Sequence, residues 1–208
     1  IREKQASGEF PPNRKRLLIY ITPIAGVVQI NAAAAVGRDG TDPRDLTAAE
    51  NEGRQTVQQL VAFFQKYVPG FSRCFLVDTA SGIGVRETRR VVGEYTLTMH
   101  DVLEAREFDD TIGLGAYCID IHETDGGITH YHIADGQAYR TPYRCLVPRQ
   151  IDGLLMAGRC ISVEREAMGA TREQVACMVQ GEAAGMAAAL CVQQGVEPRR
   201  LDAQLLRN

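Results

Sequence analysis

Charge of one sign is not in excess in this chain: 23 Lys and Arg against 26 Asp and Glu leave a net charge of −3, and the pI is near 5.8. The basic residues are scattered, which gives no electrostatic footprint for nucleic acid or an anionic membrane. No apolar run approaches the roughly 20 residues needed to span a bilayer, and the first residues carry no signal-peptide pattern. The chain is therefore expected to be cytoplasmic. The six cysteines, Cys74, Cys118, Cys145, Cys160, Cys177 and Cys191, contain no Cys-x-x-Cys pair, which argues against a zinc site and a thioredoxin-like redox pair. Most are expected to be buried small hydrophobes. Internal repeats and low-complexity tracts are lacking too.

With 45% hydrophobic and 24% charged residues among 208, the composition is that of a soluble globular chain with a core. The first residue is Ile, and a polar opening from Arg2 to Arg16 contains Pro11-Pro12, which fits a piece of a longer protein. Leu17 to Ile21 and Gly26 to Ala33 read as strands, followed by a loop from Gly37 to Pro43. Thr47 and Glu50 have capping-box spacing, and Val57, Leu60, Val61, Phe64 and Val68 recur at helical steps until Pro69-Gly70 ends the helix. Arg73 to Thr79 and Arg89 to Thr98 read as strands, and His100 to Arg106 as a short helix. Tyr117 to His122 and Thr129 to Ile133, across Asp125-Gly126-Gly127, carry a hairpin signal. Tyr139 to Leu146 completes a strand-rich middle.

The stretch from Ile151 onward is the most informative. Asp152-Gly153 signals a turn, and the short apolar run Leu154 to Ala157 suits a buried strand that ends at Gly158 and delivers Arg159 to an edge. After a polar loop, Val163 to Ala170, Thr171 and Gln174 have capping-box spacing, so a helix is expected to begin near Arg172. Val175, Met178, Val179, Ala183, Met186, Ala187 and Leu190 form its apolar face, and Gly195 with Pro198 stops it. A second stripe, Gly181, Ala184, Gly185 and Ala188, contains only small residues, although an interior Gly costs roughly 1 kcal/mol relative to Ala. The start of such a helix suits an electron-rich group such as a flavin carbonyl or a phosphate. On periodicity alone, a strand and a buried helix packed by small residues is the plainer reading.

Residues 151 to 191 resemble the C-terminal FAD motif of flavoprotein oxidoreductases with the glutathione-reductase type of dinucleotide fold, especially a bacterial group described as FAD-dependent oxidoreductases. The similarity extends back through Gly84 to Thr98, Asp101-Val102, Phe108-Asp109-Asp110, Asp120-Ile121-His122 and Pro142 to Pro148. The resemblance implies that Ala157, Gly158, Arg159 and Cys160 contact the ribityl and pyrophosphate region of FAD. It also implies that Gly169, Ala170, Thr171, Arg172 and Gln174 sit beside the isoalloxazine ring. A looser similarity to fumarate reductases suggests that Arg172 faces flavin or substrate. The chain departs from the pattern at Val175 and Ala176, where Pro and Thr are expected, and at Glu182, where Gln is.

No Gly-x-Gly-x-x-Gly turn is present: Gly82-x-Gly84-x-x-Glu87 and Gly113-x-Gly115-x-x-Cys118 both lack the third Gly, and neither opens a convincing helix after a strand. The expected architecture is α/β: a mixed-sheet, substrate-domain-like region over 1–148 and a C-terminal FAD-binding strand, loop and long helix over 149–208. The dinucleotide turn would lie in a missing N-terminal segment, and the piece alone would be inactive. The implied reaction is hydride transfer between a small-molecule substrate and flavin, with a homo-oligomer possible. A domain that keeps the fold without flavin, as a binding or interaction module, is the alternative.

Candidate chemistry in the middle begins with Arg86, Arg89 and Arg90, whose guanidinium forks suit carboxylates or phosphates, or equally a solvated edge with surface ion pairs. Asp120 and His122 share one strand face, as do His130 and His132, so the three histidines form a conceivable cluster across the hairpin. No metal is expected there, because alternating polar residues on a hairpin usually face solvent; a histidine-metal hydrolase is the third reading. His122 is the acid/base candidate because it lies in a family motif. Tyr143 and Arg144, held between Pro142 and Pro148, are candidates for the substrate face, or for a buried aromatic and a snorkelling Arg at a domain seam. The catalytic candidates are therefore Arg172, His122 and Arg144.

Overall fold

The computed structural model describes residues 2–11, 17–123 and 127–207; part of the polar opening, including Pro12, and the Asp125-Gly126 turn lie outside them. The chain divides into two compact units, one comprising residues up to Val85 together with 122–127, the other 86–121 with 128–208. Residues 149–208 therefore share a compact unit with 86–121.

In the first unit, α1 (Arg2–Ala6) precedes a hairpin of β1 (Leu18–Ile21) and β2 (Val28–Asn31), antiparallel with Ile19 opposite Ile30. α2 (Pro43–Tyr67) starts four residues before the expected Thr47. Asp42 caps it by accepting from Arg44 N at 2.8 Å, Pro43 occupies the first turn, and Thr47 instead donates its hydroxyl to the Pro43 carbonyl. A proline whose missing N–H costs nothing there, behind an Asp cap, is the stronger start signal. Leu60, Phe63 and Phe64 of α2 bury against Phe10 and Ala32, with Phe10 and Phe63 edge to face at 4.9 Å. The strand expected over 73–79 does not form: Phe75, Leu76 and Val77 are exposed and pair with no strand among the described residues.

The second unit contains α3 (Met99–Leu103), β3 (Thr111–Gly115), β4 (Ile119–His122), β5 (Ile128–Tyr131), β6 (Tyr139–Pro142), α4 (Arg165–Thr171) and α5 (Gln174–Gln194), with His122 itself grouped with the first unit. β3 pairs antiparallel with β6, and β4 with β5. Arg89 to Thr98 is an extended ribbon instead of a named strand: Val91 N donates to Cys160 O, Glu94 N to Val147 O and Leu97 N to Ser162 O. Its rungs alternate between two partner segments, so neither side builds a continuous ladder. The α/β character is present as helices with small sheets. Among the described residues every sheet has two strands, so the parallel sheet of a dinucleotide fold is not assembled from them. The core gathers Leu97, Val102, Ile119, Tyr139, Leu146, Ile161, Met168, Ala183 and Ala187.

The C-terminal segment departs from expectation in three ways. Leu154 to Ala157 is not a strand: Met156 N donates to Leu146 O at 2.8 Å, and Gly158, at φ +83°, then turns the chain into a 3-10 helix, Gly158–Cys160. The expected loop over 163–170 is mostly helix, α4, and Thr171 is buried in its last turn instead of capping the next helix. α5 begins at Gln174 behind Glu173, whose side chain makes no capping bond. α5 ends at Gly195 in the left-handed region (φ +65°), as the sequence predicts.

The buried face of α5 is Gln180, Ala183, Ala187 and Cys191, whereas Val175 and Met178 are more than two-thirds exposed. Gly181, Gly185 and Ala188 of the small-residue stripe point outward. With 21 residues and a mean hydropathy of 1.6 over its most apolar window, α5 is long and apolar enough to cross a membrane by length and composition. This corrects the expectation that no segment approaches that length; only Gln180 and Glu182 interrupt it between residues 175 and 192. Here α5 packs against β3 and the Gly158–Cys160 turn.

Candidate functional site

Two sets of ionic contacts clamp α4 at its ends. At its start, Arg165 and Arg90 share Glu87, at 3.5 and 2.9 Å, and Arg90 also approaches the Met168 sulfur at 3.6 Å. At its end, Arg172 Nη2 lies 2.8 Å from Asp120 Oδ2 and donates to the Asp120 carbonyl at 3.3 Å, while Nη1 lies 3.1 Å from Glu173. Arg86 Nη1 reaches the same Asp120 oxygen at 3.8 Å. Arg86 and Arg90 of the cationic cluster thus go to different carboxylates while Arg89 is exposed, and the Arg172 and Asp120 side chains are only 14% and 11% exposed.

Asp120 gathers a third cation-forming partner. His130 Nε2 stands 3.2 Å from Asp120 Oδ1, and His132 lies beside His130, ring centroids 6.1 Å apart. His122 ends β4, half-buried. Among the described residues, no group of three or more His, Cys, Asp or Glu side chains is arranged to hold a metal ion. Asp120, recognised in the sequence only as a strand-face neighbour of His122, is the hub, and no local signal foretold partners at residues 86, 130 and 172.

Arg144 belongs to a different network. Its Nε and Nη2 reach the two oxygens of Asp110 at 2.9 and 3.1 Å, its backbone N donates to Asp110 Oδ2 at 3.0 Å, and its guanidinium stacks 5.4 Å over the Tyr95 ring. Such a bidentate, stacked arginine fixes geometry. Tyr95 in turn donates to Asp101 at 2.8 Å, and burial, followed by that bond, pushes its hydroxyl up to about 12. Tyr143 is buried, donating to the Pro198 carbonyl at 3.0 Å.

Apart from Arg172, held by Asp120 and Glu173, the expected cofactor residues fall into two groups. Gly169, Ala170 and Thr171 are buried by their own unit: Gly169 lies against the Asp120 backbone, and Tyr139 donates to the Ala170 carbonyl at 3.0 Å. Ala157, Gly158, Arg159, Cys160 and Gln174 are accessible. Gln180, a residue the sequence reading passed over, joins the groups: its Oε1 accepts from Gly158 N at 2.9 Å and its Nε2 donates to Thr171 O at 3.1 Å. Cys177, one turn earlier, directs its thiol to the Arg172 carbonyl at 3.3 Å. Burial raises that thiol, against the opposing pull of the nearby Arg159 charge.

The family described as FAD dependent oxidoreductase matches residues 2–208. This chain belongs to the FAD dependent oxidoreductase family. No curated protein and no solved structure matches it significantly. FAD is the cofactor of the family, and the donor set here fits it. A Cβ built on Gly158 meets no atom within 4 Å, so that side of the turn is open. Glu173 leaves the first-turn amides of α5 without a side-chain cap, and such amides suit an electron-rich acceptor.

Proposed function

We propose that this FAD dependent oxidoreductase chain forms the closing part of a flavin site in a glutathione-reductase-type fold, with a dinucleotide-binding segment outside these 208 residues supplying the rest. The observation that carries the reading is the pairing of an open, positive-φ turn at Gly158 with an uncapped α5 start at Gln174. Ala157, Gly158, Arg159 and Cys160 hold the cofactor from the turn. Gln174 and the backbone amides of the first α5 turn approach it from the helix. When bound, FAD supplies the two-electron chemistry by which a hydride leaves or reaches a small-molecule substrate.

The residues of the chain orient and shield. Arg172, fixed by Asp120 and Glu173, places a positive charge at the joint between α4 and α5, where it stabilises negative charge developing beside it. His130 handles the substrate proton in preference to His122, because it stands beside the Arg172 and Asp120 pair, its Nε2 3.2 Å from Asp120 Oδ1. Arg144 supports this frame from the Asp110 and Tyr95 side. No nucleic acid is involved, and a homo-oligomer forms if the exposed α5 face is shared.

The test is flavin retention. The 208-residue chain, and a longer chain that includes a Gly-x-Gly-x-x-Gly segment, are mixed with FAD and gel-filtered, and visible spectra are recorded. Yellow protein from the longer chain is the expected result; loss of flavin from both removes the reading.

A further inference from the structure

We infer that Gln180 is a positioning residue for the cofactor, setting the distance between the Gly158 turn and the start of α5; this rests on the reading proposed above. Gln180 is 1% exposed in an otherwise apolar helix interior, and both ends of its amide are used. Oε1 accepts from Gly158 N at 2.9 Å, and Nε2 donates to Thr171 O at 3.1 Å, the carbonyl of the last residue of α4. One side chain thus ties together three segments: the turn, the end of α4, and the second turn of α5.

Helix packing does not require a glutamine here. A Leu or Met of similar volume suits a buried helical face better, but takes the partner from the part-buried Gly158 amide and leaves the Thr171 carbonyl only the Cys177 thiol at 3.9 Å. The polar choice answers to the turn. Gly158 has φ +83° and open space where a side chain would stand, so no packing holds it from that side; backbone bonds anchor the turn at Met156 and Cys160, and the bond to Gln180 fixes the Gly158 amide between them. A shift there moves Arg159 and Cys160 relative to the α5 amides, while Arg172 stays fixed by Asp120. Misplacement of a held group by about 1 Å is enough to lose much of its interaction.

The experiment uses the whole natural chain, with FAD as the probe. Wild type, Gln180→Met and Gln180→Glu are compared for FAD affinity, for the absorption band of the bound flavin, and for apo-protein melting. Gln180→Met is expected to weaken FAD at least tenfold and to shift the isoalloxazine band at temperatures where the apo-protein is fully folded. Gln180→Glu, measured at a pH low enough to protonate the buried carboxyl, keeps an acceptor for Gly158 N and a donor for Thr171 O, and is expected to stay within about threefold of wild type. A Gln180→Met protein that melts lower but binds FAD within twofold, with an unaltered band, overturns the inference and leaves Gln180 a packing residue. If Gln180→Met does not fold, Gln180→Asn, too short to reach both partners, is judged by the same criteria. A wild type that retains no FAD overturns instead the flavin reading on which the inference stands.

Discussion

Gly169 presses against the backbone of Asp120 so closely that a Cβ there would stand 2.8 Å from Asp120 N and 2.9 Å from its carbonyl oxygen. α4 can approach the Asp120 backbone this closely only because residue 169 has no side chain, and the Arg172 to Asp120 pair three residues on depends on that approach. Gly169→Ala is expected to cost about 1–3 kcal/mol, as overpacking does, read as a lowered urea midpoint with an unchanged slope. Gly181→Ala and Gly185→Ala, in open space on the outer face of α5, are expected to stabilise the 208-residue chain by roughly 0.5–1 kcal/mol each, since Ala is the better helix former. Equal effects at all three positions would contradict the packing described for α4.

Asp101 makes an acid-sensitive latch. It caps α3 through a reciprocal box with Thr98, accepts from Tyr95 at 2.8 Å and from Arg106 at 3.0 Å, and its side chain is 3% exposed. Burial alone would raise its carboxyl; the bonds from Thr98, Tyr95 and Arg106 outweigh burial, and the net shift is downward. A folded-state value below the unfolded one means that the contribution is fully present above about pH 4 and is lost as pH falls below that, through the lowered folded value. Asp101→Asn is expected to cost about 1–3 kcal/mol near neutrality by leaving donors unmatched. It should also flatten the acid limb of the stability profile. An acid limb as steep as that of wild type would show that other carboxylates carry it.

Where a feature was legible in the sequence, its cause was local. Gly195 followed by Pro198 marks the end of α5 because a left-handed residue and a missing N–H act at the point where they stand, and Pro69-Gly70 does the same after α2. Gly158 was legible as the end of the apolar run Leu154 to Ala157, though neither its turn nor the lack of a strand before it was. The α4 helix was hidden because Gly169 and Thr171 are weak helix formers whose conformation is set by the press of Asp120 and Tyr139 from outside. The apolar face of α5 was misjudged for a related reason. Its composition is apolar nearly all round, so spacing could not show that Gln180 turns inward while Val175 and Met178 face out. The role of Asp120 was invisible because its partners are gathered by the fold from residues 86, 130 and 172.

The two clamps on α4 should differ in strength. The Arg165 and Glu87 side chains are 56% and 37% exposed, the Arg172 and Asp120 side chains 14% and 11%. Exposed pairs are weakened by solvent, whereas a shielded pair that loses one member leaves the other poorly solvated. Arg165→Gln is expected to change stability by less than about 0.5 kcal/mol. A double-mutant cycle with Asp120→Asn and Arg172→Gln should show a coupling of about 1–3 kcal/mol. Coupling near zero would mean that Glu173 alone satisfies Arg172, and would remove Asp120 as the group that fixes it.

Thiol chemistry tests the flavin site from the protein side. Cys145 is 0% exposed and burial pushes its thiol up to about 12, while Cys191 is 7% exposed and also raised by burial. Neither should react with a thiol reagent at pH 8 until the chain unfolds, since the thiolate is the reactive form. Cys160, in the turn, and Cys177, in the first turns of α5, are both partly accessible, so both should label in the folded protein, Cys177 the more slowly because burial raises its thiol. If these elements hold FAD, saturating cofactor slows labelling of Cys160 and Cys177 by about tenfold or more, by mass action on the open form, while Cys74, in the other unit, is modified at its original rate. Peptide mapping of the labelled protein separates the sites. Unchanged labelling of Cys160 in protein that visibly retains flavin would move the cofactor away from the Gly158 turn, however well the turn's geometry suits it.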